Sequence, residues 1–434
     1  MRDWNKLADK VQNMEPVSPQ GRVSKIIGLM IEADGPRVSV GAYCKILTRE
    51  EKEIPAEVVG FRNSTTLLMP LAELEGIAPG DRVVPQQHKL TVGVGPSLLG
   101  RVLDGLGHPL DGRPLACEED YPLQSAPPNA FLRPRIHDPL SVGVRAVDGL
   151  LTLGRGQRIG IFAGSGVGKS TLLGMMARNT TAAVNVIALV GERGRELRDF
   201  IEKDLGPEGL ERSVLVVATS DQPALVRLKA AFTATAIAEY FRDLGKDVLL
   251  MMDSVTRFAM AQREVGLTAG EPPATRGYPP SVFALLPKLL ERSGMSAQGS
   301  ITGIYTVLVD GDDHNEPIAD TVRGILDGHI VLTRDLAMQN HYPAIDILQS
   351  VSRVMSDVVT PEHKELAGRI REYQAIYQDA KDLVDIGAYV AGSNPRIDAS
   401  LNHIEGIRSF LRQGVGEKAS FAEMFEQMRE SLSS

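Results

Sequence analysis

Residues 159–171 read IGIFAGSGVGKST, an apolar run followed by a glycine-rich turn that ends in Lys-Ser-Thr. This order predicts a buried strand, a loop whose backbone N–H groups converge on phosphate oxygens, and a helix whose N-terminus favours the same anion. Lys169 is spaced to reach the β- and γ-phosphates of a nucleotide, and Ser170 to offer its hydroxyl to Mg²⁺. Ala163 stands where the strict motif has glycine, and it is the smallest substitute at this turn position. The predicted nucleotide-binding loop consists of Ala163, Gly164, Ser165, Gly166, Val167, Gly168, Lys169, Ser170 and Thr171.

Two other apolar runs end in carboxylates. The run DVLLMMD ends in Asp253, and the run VNVIALV is followed by Gly191 and then Glu192. Because the carboxyl ends of parallel strands meet at one edge of a sheet, we expect both acids beside the phosphate loop. Asp253 is the candidate carboxylate for Mg²⁺, acting through water, and Glu192 the candidate base for the attacking water. Arg193, next to Glu192, is a candidate for contact with the γ-phosphate.

Hydrophobic patterning divides the chain into regions of different character. Short β-rich runs such as Val23–Ile31 are typical of a small barrel or sandwich. Further along, continuous apolar runs separated by helical stretches such as Ala224–Phe241 predict a buried parallel α/β sheet. After Arg353 the pattern contains helical segments only. The expected regions are an N-terminal helix at 1–17, a small β-barrel or sandwich at 18–91, a parallel α/β domain that carries the phosphate loop at 92–352 and an all-α domain at 353–434.

An apolar stripe marks the N-terminal helix. Its members are spaced 3, 4 and 3 residues apart, as on one face of a helix: Trp4, Leu7, Val11 and Met14. A helix this short is marginal alone in water and needs a surface to pack against. The stripe predicts either packing on the chain's own domain or docking to a partner or membrane surface.

Composition narrows the class of protein. With 434 residues, 43% hydrophobic and 24% charged residues, the chain has the composition of a globular protein of two or three domains. Its two cysteines, Cys44 and Cys117, stand in no metal or redox motif, which favours a reducing cytosol. A net charge of −8 disfavours a general nucleic-acid binder, and we expect no nucleic-acid partner.

The combined motifs resemble a known family. The segments GRGQRIGIFAGSGVGKS, GERGRELRDF and HYPAIDILQSVSR are similar to those of the catalytic subunits of rotary ATP synthases and their export relatives. The segments PPSVFALLPKLLERSG and DIGAYVAGSNPRID resemble the flagellar/type III secretion export ATPases of that superfamily. The resemblance covers almost the whole chain.

This resemblance implies roles for individual residues. The first domain is then expected to be a six-stranded barrel, residues 92–352 to form a RecA-like P-loop ATPase domain, and Glu192 to be the catalytic glutamate. Arg257 is expected to face the γ-phosphate as well. Arg353 matches the arginine finger, which acts on the nucleotide of a neighbouring subunit, so a homohexamer is implied. Tyr342 matches an aromatic residue that stacks on adenine, with a plain core tyrosine as the alternative. The substrate is expected to be ATP with Mg²⁺, and the activity ATP hydrolysis that energises protein export.

The resemblance also implies partners. A coiled-coil peripheral-stalk regulator is expected to bind residues 1–17, and a central coiled-coil stalk protein to meet pore loops at 271–280 and 310–316. An export gate and chaperone–substrate complexes are further expected partners. Location is expected to be cytoplasmic, at the inner face of the cell membrane beside the export apparatus.

Other functions fit the residues less well. A virulence injectisome ATPase of the same family is the main alternative to the flagellar system. An ATP synthase catalytic subunit carries an acidic loop where this chain reads IGAYVAGS at 386–393. A Rho-type RNA translocase needs a basic, aromatic first domain, and residues 18–91 contain only Tyr43 and Phe61 as aromatics. A non-catalytic nucleotide-binding subunit is opposed by Glu192.

Overall fold

The computed structural model describes residues 20–309 and 316–433. It divides into two compact units, one running to Leu90 and including Leu267–Glu271, the other comprising Thr91–Gly266 and Pro272–Ser434. The expected N-terminal docking helix, and residues 310–315 of the second expected pore loop, lie outside the described residues.

The first unit is a closed six-stranded barrel with strand order β1-β2-β5-β4-β3-β6. Alternate side chains of its strands point inward and form a small apolar core that includes Val23, Ile46 and Val83. The continuous run Val23–Ile31 folds as a hairpin because Gly28 takes a φ of +57°, which turns the chain back on itself. The strands are β1 (Gly21–Ile27), β2 (Met30–Asp34), β3 (Tyr43–Leu47), β4 (Glu53–Arg62), β5 (Thr65–Pro70) and β6 (Arg82–Pro85).

The second unit is built on a large sheet with the order β19-β18-β12-β17-β15-β13-β14-β8. All neighbours along this path are parallel except β18 and β19, and β16 pairs antiparallel with β17. Every residue of β13 is buried, as its unbroken apolar sequence predicts. The strands of this unit are β7 (Thr91–Val94), β8 (Arg101–Asp104), β9 (Glu119–Pro122), β10 (Pro139–Leu140), β11 (Leu153–Gly154), β12 (Arg158–Ala163), β13 (Val184–Val190), β14 (Ser213–Ala218), β15 (Asp247–Asp253), β16 (Gly294–Met295), β17 (Ser300–Leu308), β18 (Gly328–Leu332) and β19 (Ile345–Ser352).

Helices separate most of the strands and make up the C-terminal region. A helical turn with π geometry at Phe200–Leu205 joins α3 to α4, and short 3₁₀ turns lie at Pro96–Leu98, Ala130–Leu132 and Thr275–Gly277. The α-helices of the described chain are α1 (Arg145–Leu150), α2 (Lys169–Asn179), α3 (Gly194–Asp199), α4 (Gly206–Glu211), α5 (Ala224–Asp243), α6 (Val255–Ala269), α7 (Pro280–Leu290), α8 (Pro317–Ile325), α9 (Arg334–Met338), α10 (Met355–Val358), α11 (Pro361–Asp385), α12 (Pro395–Leu411) and α13 (Phe421–Ser431).

The C-terminal helices begin where the sequence supplies caps. The Thr360 hydroxyl accepts from the backbone N–H of His363 at the start of α11, and the Asn394 side chain does the same for Arg396 at α12. Ser420 forms a reciprocal capping box at α13. The predicted fold class is confirmed: a six-stranded barrel, a central α/β nucleotide-binding fold with a mainly parallel sheet, and a helical C-terminal region. No described helix is both long and apolar enough to span a membrane.

Sheet topology decides where functional side chains meet. The strands β12, β15 and β13 are parallel and lie close together in the sheet order, so their carboxyl ends share one edge. The phosphate loop and both candidate carboxylates follow these ends. Strand β19 runs the opposite way, so its last residue, Ser352, pairs with Gly328 near the other end of the sheet.

Candidate nucleotide site

The predicted phosphate loop joins a buried strand to a helix. Ala163 closes β12 and is 1% exposed, and Lys169 begins α2. Gly166 and Gly168 adopt φ values of +80° and +90°, a left-handed conformation that a side chain disfavours. Ser170 lies exposed on the first turn of α2. This arrangement leaves the N-terminal N–H groups of α2 facing an anion site.

Three charged side chains meet beside this loop, and we call Lys169, Glu192 and Asp253 the P-loop cluster. The Lys169 Nζ atom lies 2.5 Å from Asp253 Oδ1 and 3.9 Å from Glu192 Oε1. Thr306 donates a hydrogen bond of 2.7 Å to the same Asp253 oxygen. The Asp253 side chain is 5% exposed and that of Glu192 17%. The structure therefore brings together the three residues that the sequence predicted to be neighbours.

Glu192 has an unusual environment for a carboxylate. Burial, followed by the negative charge of Asp253, raises the pKa of Glu192 to about 7, although Lys169 and Arg257 act in the opposite direction. Its Oε1 atom is buried and has no hydrogen-bond partner. A carboxylate with an unsatisfied oxygen and a pKa near neutrality is suited to accept a proton from water.

The two candidate arginines occupy different surroundings. Arg257 stands on α6 next to the backbone of Gly191, and its charge acts on Glu192. Arg193 is directed elsewhere, since its side chain is 75% exposed and lies 3.6 Å from Glu196. The P-loop cluster therefore has Arg257 as a neighbour, whereas the contact that the structure shows for Arg193 is with Glu196.

A cleft of about 350 Å³ opens beside the loop. Tyr342, 42% exposed, forms one wall, and a Cβ atom placed on Gly168 would lie 3.6 Å from its ring. The cleft is lined by Gly166, Gly168, Thr171, Leu172, Met175, Tyr342, Pro343, Gln413 and Val415. An exposed aromatic face and aliphatic walls beside a phosphate loop suit a flat, partly apolar base.

The part of this cleft that comes from the C-terminal region was not predicted from the sequence. The Gln413 backbone N–H donates to the Tyr342 carbonyl at 2.9 Å, and its side chain bonds the backbone of Arg145 and Gly143. Val415, 48% exposed, follows in the same segment. No local pattern marks these residues, because their neighbours in the cleft lie far away in sequence.

Arg353 lies far from the P-loop cluster of its own chain. Its backbone N–H donates to the Asp327 carbonyl at 3.0 Å, and the Asp327 N–H donates to the Arg158 carbonyl at 2.8 Å. Arg158 begins β12, whereas the phosphate loop follows its end at Ala163. The strand between them spans about 17 Å, which is longer than an arginine side chain. Arg353 is exposed at this opposite end, and its Nη1 donates to the Leu326 carbonyl at 3.2 Å.

Comparison with protein-family models gives three matches. The nucleotide-binding domain of the ATP synthase alpha/beta family matches residues 143–352, and the beta-barrel domain of that family matches residues 23–86. The C-terminal domain of the type III secretion system ATPase EscN matches residues 359–430. The three matches follow the same order as the barrel, the sheet and the C-terminal helices.

Similar proteins cover nearly the full chain. The flagellum-specific ATP synthase of Bacillus subtilis (strain 168) is 57% identical over 420 residues, 96% of each chain. The type 3 secretion system ATPase of Xanthomonas euvesicatoria is 53% identical over 94% of this chain and 92% of its own. The structure of assembled EscN with its central stalk EscO, from enteropathogenic E. coli, superimposes with a TM-score of 0.88 at 47% identity, covering 95% of this chain and 100% of the matched chain.

Proposed function

Because this chain belongs to the ATP synthase alpha/beta family and also matches the type III secretion C-terminal domain, we propose that it is a protein-export ATPase that hydrolyses Mg-ATP between subunits of a homohexamer. The similarity is slightly higher to a flagellar relative, at 57%, than to a type 3 secretion relative, at 53%, and we assign the flagellar system.

The position of Arg353 is the observation that carries the subunit-interface site. Phosphoryl transfer builds charge on the γ-phosphate oxygens, and a guanidinium binds two such oxygens at once. Arg353 lies at the end of the sheet away from its own phosphate loop, and this position supports its action on the loop of another copy. Head-to-tail repetition of this contact forms a ring when the rotation between copies closes, and the EscN relative was solved in an assembled form.

The residues of the chain then divide the reaction between two copies. Backbone N–H groups of the loop and Lys169 hold the β- and γ-phosphates. The oxygen of the water attacks the γ-phosphorus while Glu192 accepts a proton from that water. The bond between the γ-phosphorus and the oxygen that leaves with ADP breaks. Arg353 of the neighbouring copy stabilises the charge that develops on the transferred group.

The same site suits Mg²⁺. An exposed Ser170 hydroxyl and the buried Asp253 carboxylate offer the few oxygen ligands that Mg²⁺ takes from protein when phosphates and water supply the others. Among the described residues, no group of three or more His, Cys, Asp or Glu side chains offers a metal cage. When bound, Mg²⁺ neutralises phosphate charge; Ser170 and Asp253 are the residues that would hold it.

Tyr342 is expected to stack on adenine. Replacement of Tyr342 by Ala should weaken binding of both ATP and ADP about tenfold, because stacking of a base on an aromatic ring contributes about 1–3 kcal/mol. Replacement by Phe keeps the ring and should leave affinity close to wild type. Calorimetric titration of the purified chain with ADP measures both values. Equal affinities of the Ala and wild-type chains would mean that Tyr342 is only a wall of the cleft.

Partners follow from the relatives. EscN binds a central stalk, EscO, and we propose that a corresponding coiled-coil protein meets residues 271–280 and 310–316 of this chain. A peripheral-stalk regulator on residues 1–17, an export gate and chaperone–substrate complexes complete the proposed partners. With these partners, we propose that the ring works in the cytoplasm at the inner face of the membrane.

Export itself is tested by secretion in the organism that encodes the chain. Deletion of the gene should stop release of filament and hook proteins into the medium while their cellular pools persist. Re-expression of the wild-type chain should restore release, and the Glu192→Gln chain should not. Normal filament release combined with loss of injected virulence proteins would transfer the assignment to an injectisome, and unchanged release of both would overturn the export role.

A further inference from the structure

A short turn at residues 129–133, which we call the Phe131 turn, holds two large apolar side chains in solvent. Phe131 is 98% exposed and Leu132 is 75% exposed. The turn is closed by Asn129, whose side chain accepts from the Phe131 N–H at 3.0 Å and whose carbonyl accepts from the Leu132 N–H at 3.0 Å. Single exposed apolar residues are ordinary, but two adjacent ones on a closed turn form a defined surface feature.

The next residue fixes this turn to the body of the fold. Arg133 donates from Nε to the Pro128 carbonyl at 3.2 Å and from Nη1 to the Ser293 carbonyl at 3.3 Å. Its Nη2 donates to the Glu291 carbonyl, and its side chain is only 17% exposed. The Phe131 ring is therefore presented by an anchored backbone, so little conformational freedom is lost when a partner covers it.

A continuous set of contacts joins this anchor to Arg353. The Glu291 carboxylate lies 3.5 Å from Arg133 and 2.5 Å from Arg158. The Arg158 backbone N–H donates to the Asp327 carboxylate at 3.0 Å, and the Asp327 carbonyl accepts from Arg353 at 3.0 Å. The Phe131 turn and Arg353 thus stand on the same end of the sheet, at the starts of its central strands.

We propose that the Phe131 turn is the apolar anchor by which one copy docks onto the phosphate-loop end of the next, so that Arg353 reaches the nucleotide held there. This inference rests on the proposed interface between copies. A head-to-tail contact joins two different faces of the chain. The phosphate-loop end offers its own exposed apolar side chains, with Met338 72% and Val415 48% exposed. Because the Phe131 turn lies on the same face as Arg353, the partner that covers it is a second copy of this chain.

The test is replacement of Phe131 by Asp. Because the ring is almost fully exposed, the variant should keep the wild-type unfolding temperature and ADP affinity as a separate chain. Its association constant, from mass photometry over a dilution series with ATP, should fall about thirtyfold, the effect of losing a hot-spot side chain. Phosphate release at a concentration where wild type is half assembled should fall in parallel. Leu110→Asp is the matched control, since Leu110 is 56% exposed near β8, at the other edge of the sheet.

Mixing experiments give the direction of the contact. A Phe131→Asp copy keeps a good loop end, so it should regain activity with Glu192→Gln copies, whose Phe131 and Arg353 are intact. It should regain none with Arg353→Ala copies, because both changes damage the same face. Wild-type assembly and activity of Phe131→Asp would overturn the anchor and leave the proposed function standing. Full activity of dilute, single wild-type copies would instead overturn the interface itself.

Discussion

A Glu192→Gln chain should bind ATP as the wild type does and release phosphate about 10²–10⁴-fold more slowly, the range for loss of a positioned general base. Glutamine preserves the size of the side chain but does not accept a proton from the attacking water. The phosphate contacts should persist, because the variant leaves the loop and Lys169 unchanged, and Asp253 still holds Lys169 at 2.5 Å. Single-turnover phosphate release measures the loss, and calorimetric titration measures ATP affinity.

A matched control lies four residues along the chain. Glu196 is on α3, and its carboxyl is 44% exposed and pairs with Arg193. Glu196→Gln therefore removes one carboxylate from the same segment, whose charge is the smallest of the named influences on the pKa of Glu192, and leaves the contacts of the P-loop cluster in place. Phosphate release should stay near wild type. If Glu192→Gln also turned over ATP at a normal rate, another group would have to activate the water.

The pH dependence gives a second readout of the same residue. Because burial and Asp253 raise the pKa of Glu192 to about 7, its basic form is lost as pH falls through this value. The rate constant kcat/KM, which reports the free enzyme, should therefore decline on the acid side of about pH 7. The folded nucleotide-free chain holds this proton more tightly than the unfolded chain, so its stability should fall as pH rises from about 4.5 to about 7. The part of that fall that comes from Glu192 should be absent from Glu192→Gln, whereas the part that comes from Asp148, whose pKa burial raises to about 6, should remain.

The sequence predicted strands best where both faces are buried. The run Val184–Val190 matches β13 residue for residue, and the apolar run that begins at Ile159 lies within β12, because burial on both faces requires an unbroken apolar sequence. Edge strands carry a weaker signal. Strand β8 lies at one sheet edge inside a Gly/Pro-rich connector, and the hairpin within Val23–Ile31 depends on the backbone of Gly28.

A general rule of parallel sheets accounts for the part of the site that sequence could predict. Glu192 and Asp253 follow strand ends, and parallel topology brings these ends to the phosphate loop. Gln413 and Val415 reach the cleft through packing of the C-terminal helices, which no local pattern encodes. Placement of Arg353 at the far end of the sheet likewise required the antiparallel course of β19.

Arg353→Ala should reduce phosphate release by about 10³-fold or more, in line with the value of arginine fingers in other nucleotide hydrolases, while each chain still binds ATP at its own loop. Arg353→Lys keeps the charge but not the planar, two-pronged donor, so it should restore little of the rate. If Arg353 instead acted on the nucleotide of its own chain, other inactive chains would not restore the activity of Arg353→Ala.

Mixing separates the two possibilities. When Arg353→Ala and Glu192→Gln chains form joint rings, some interfaces combine an intact loop and Glu192 from the first chain with an intact Arg353 from the second. At equal amounts and random order, about one interface in four is of this kind, so activity should return to about a quarter of the wild-type rate if interfaces act independently. No recovery in rings shown by mass to contain both chains would exclude Arg353 as a residue acting across the interface. Recovery requires that each arginine acts on the nucleotide of a neighbour, since neither inactive chain has a complete site of its own. We expect it because the phosphate loop of the same chain lies at the other end of strand β12 from Arg353.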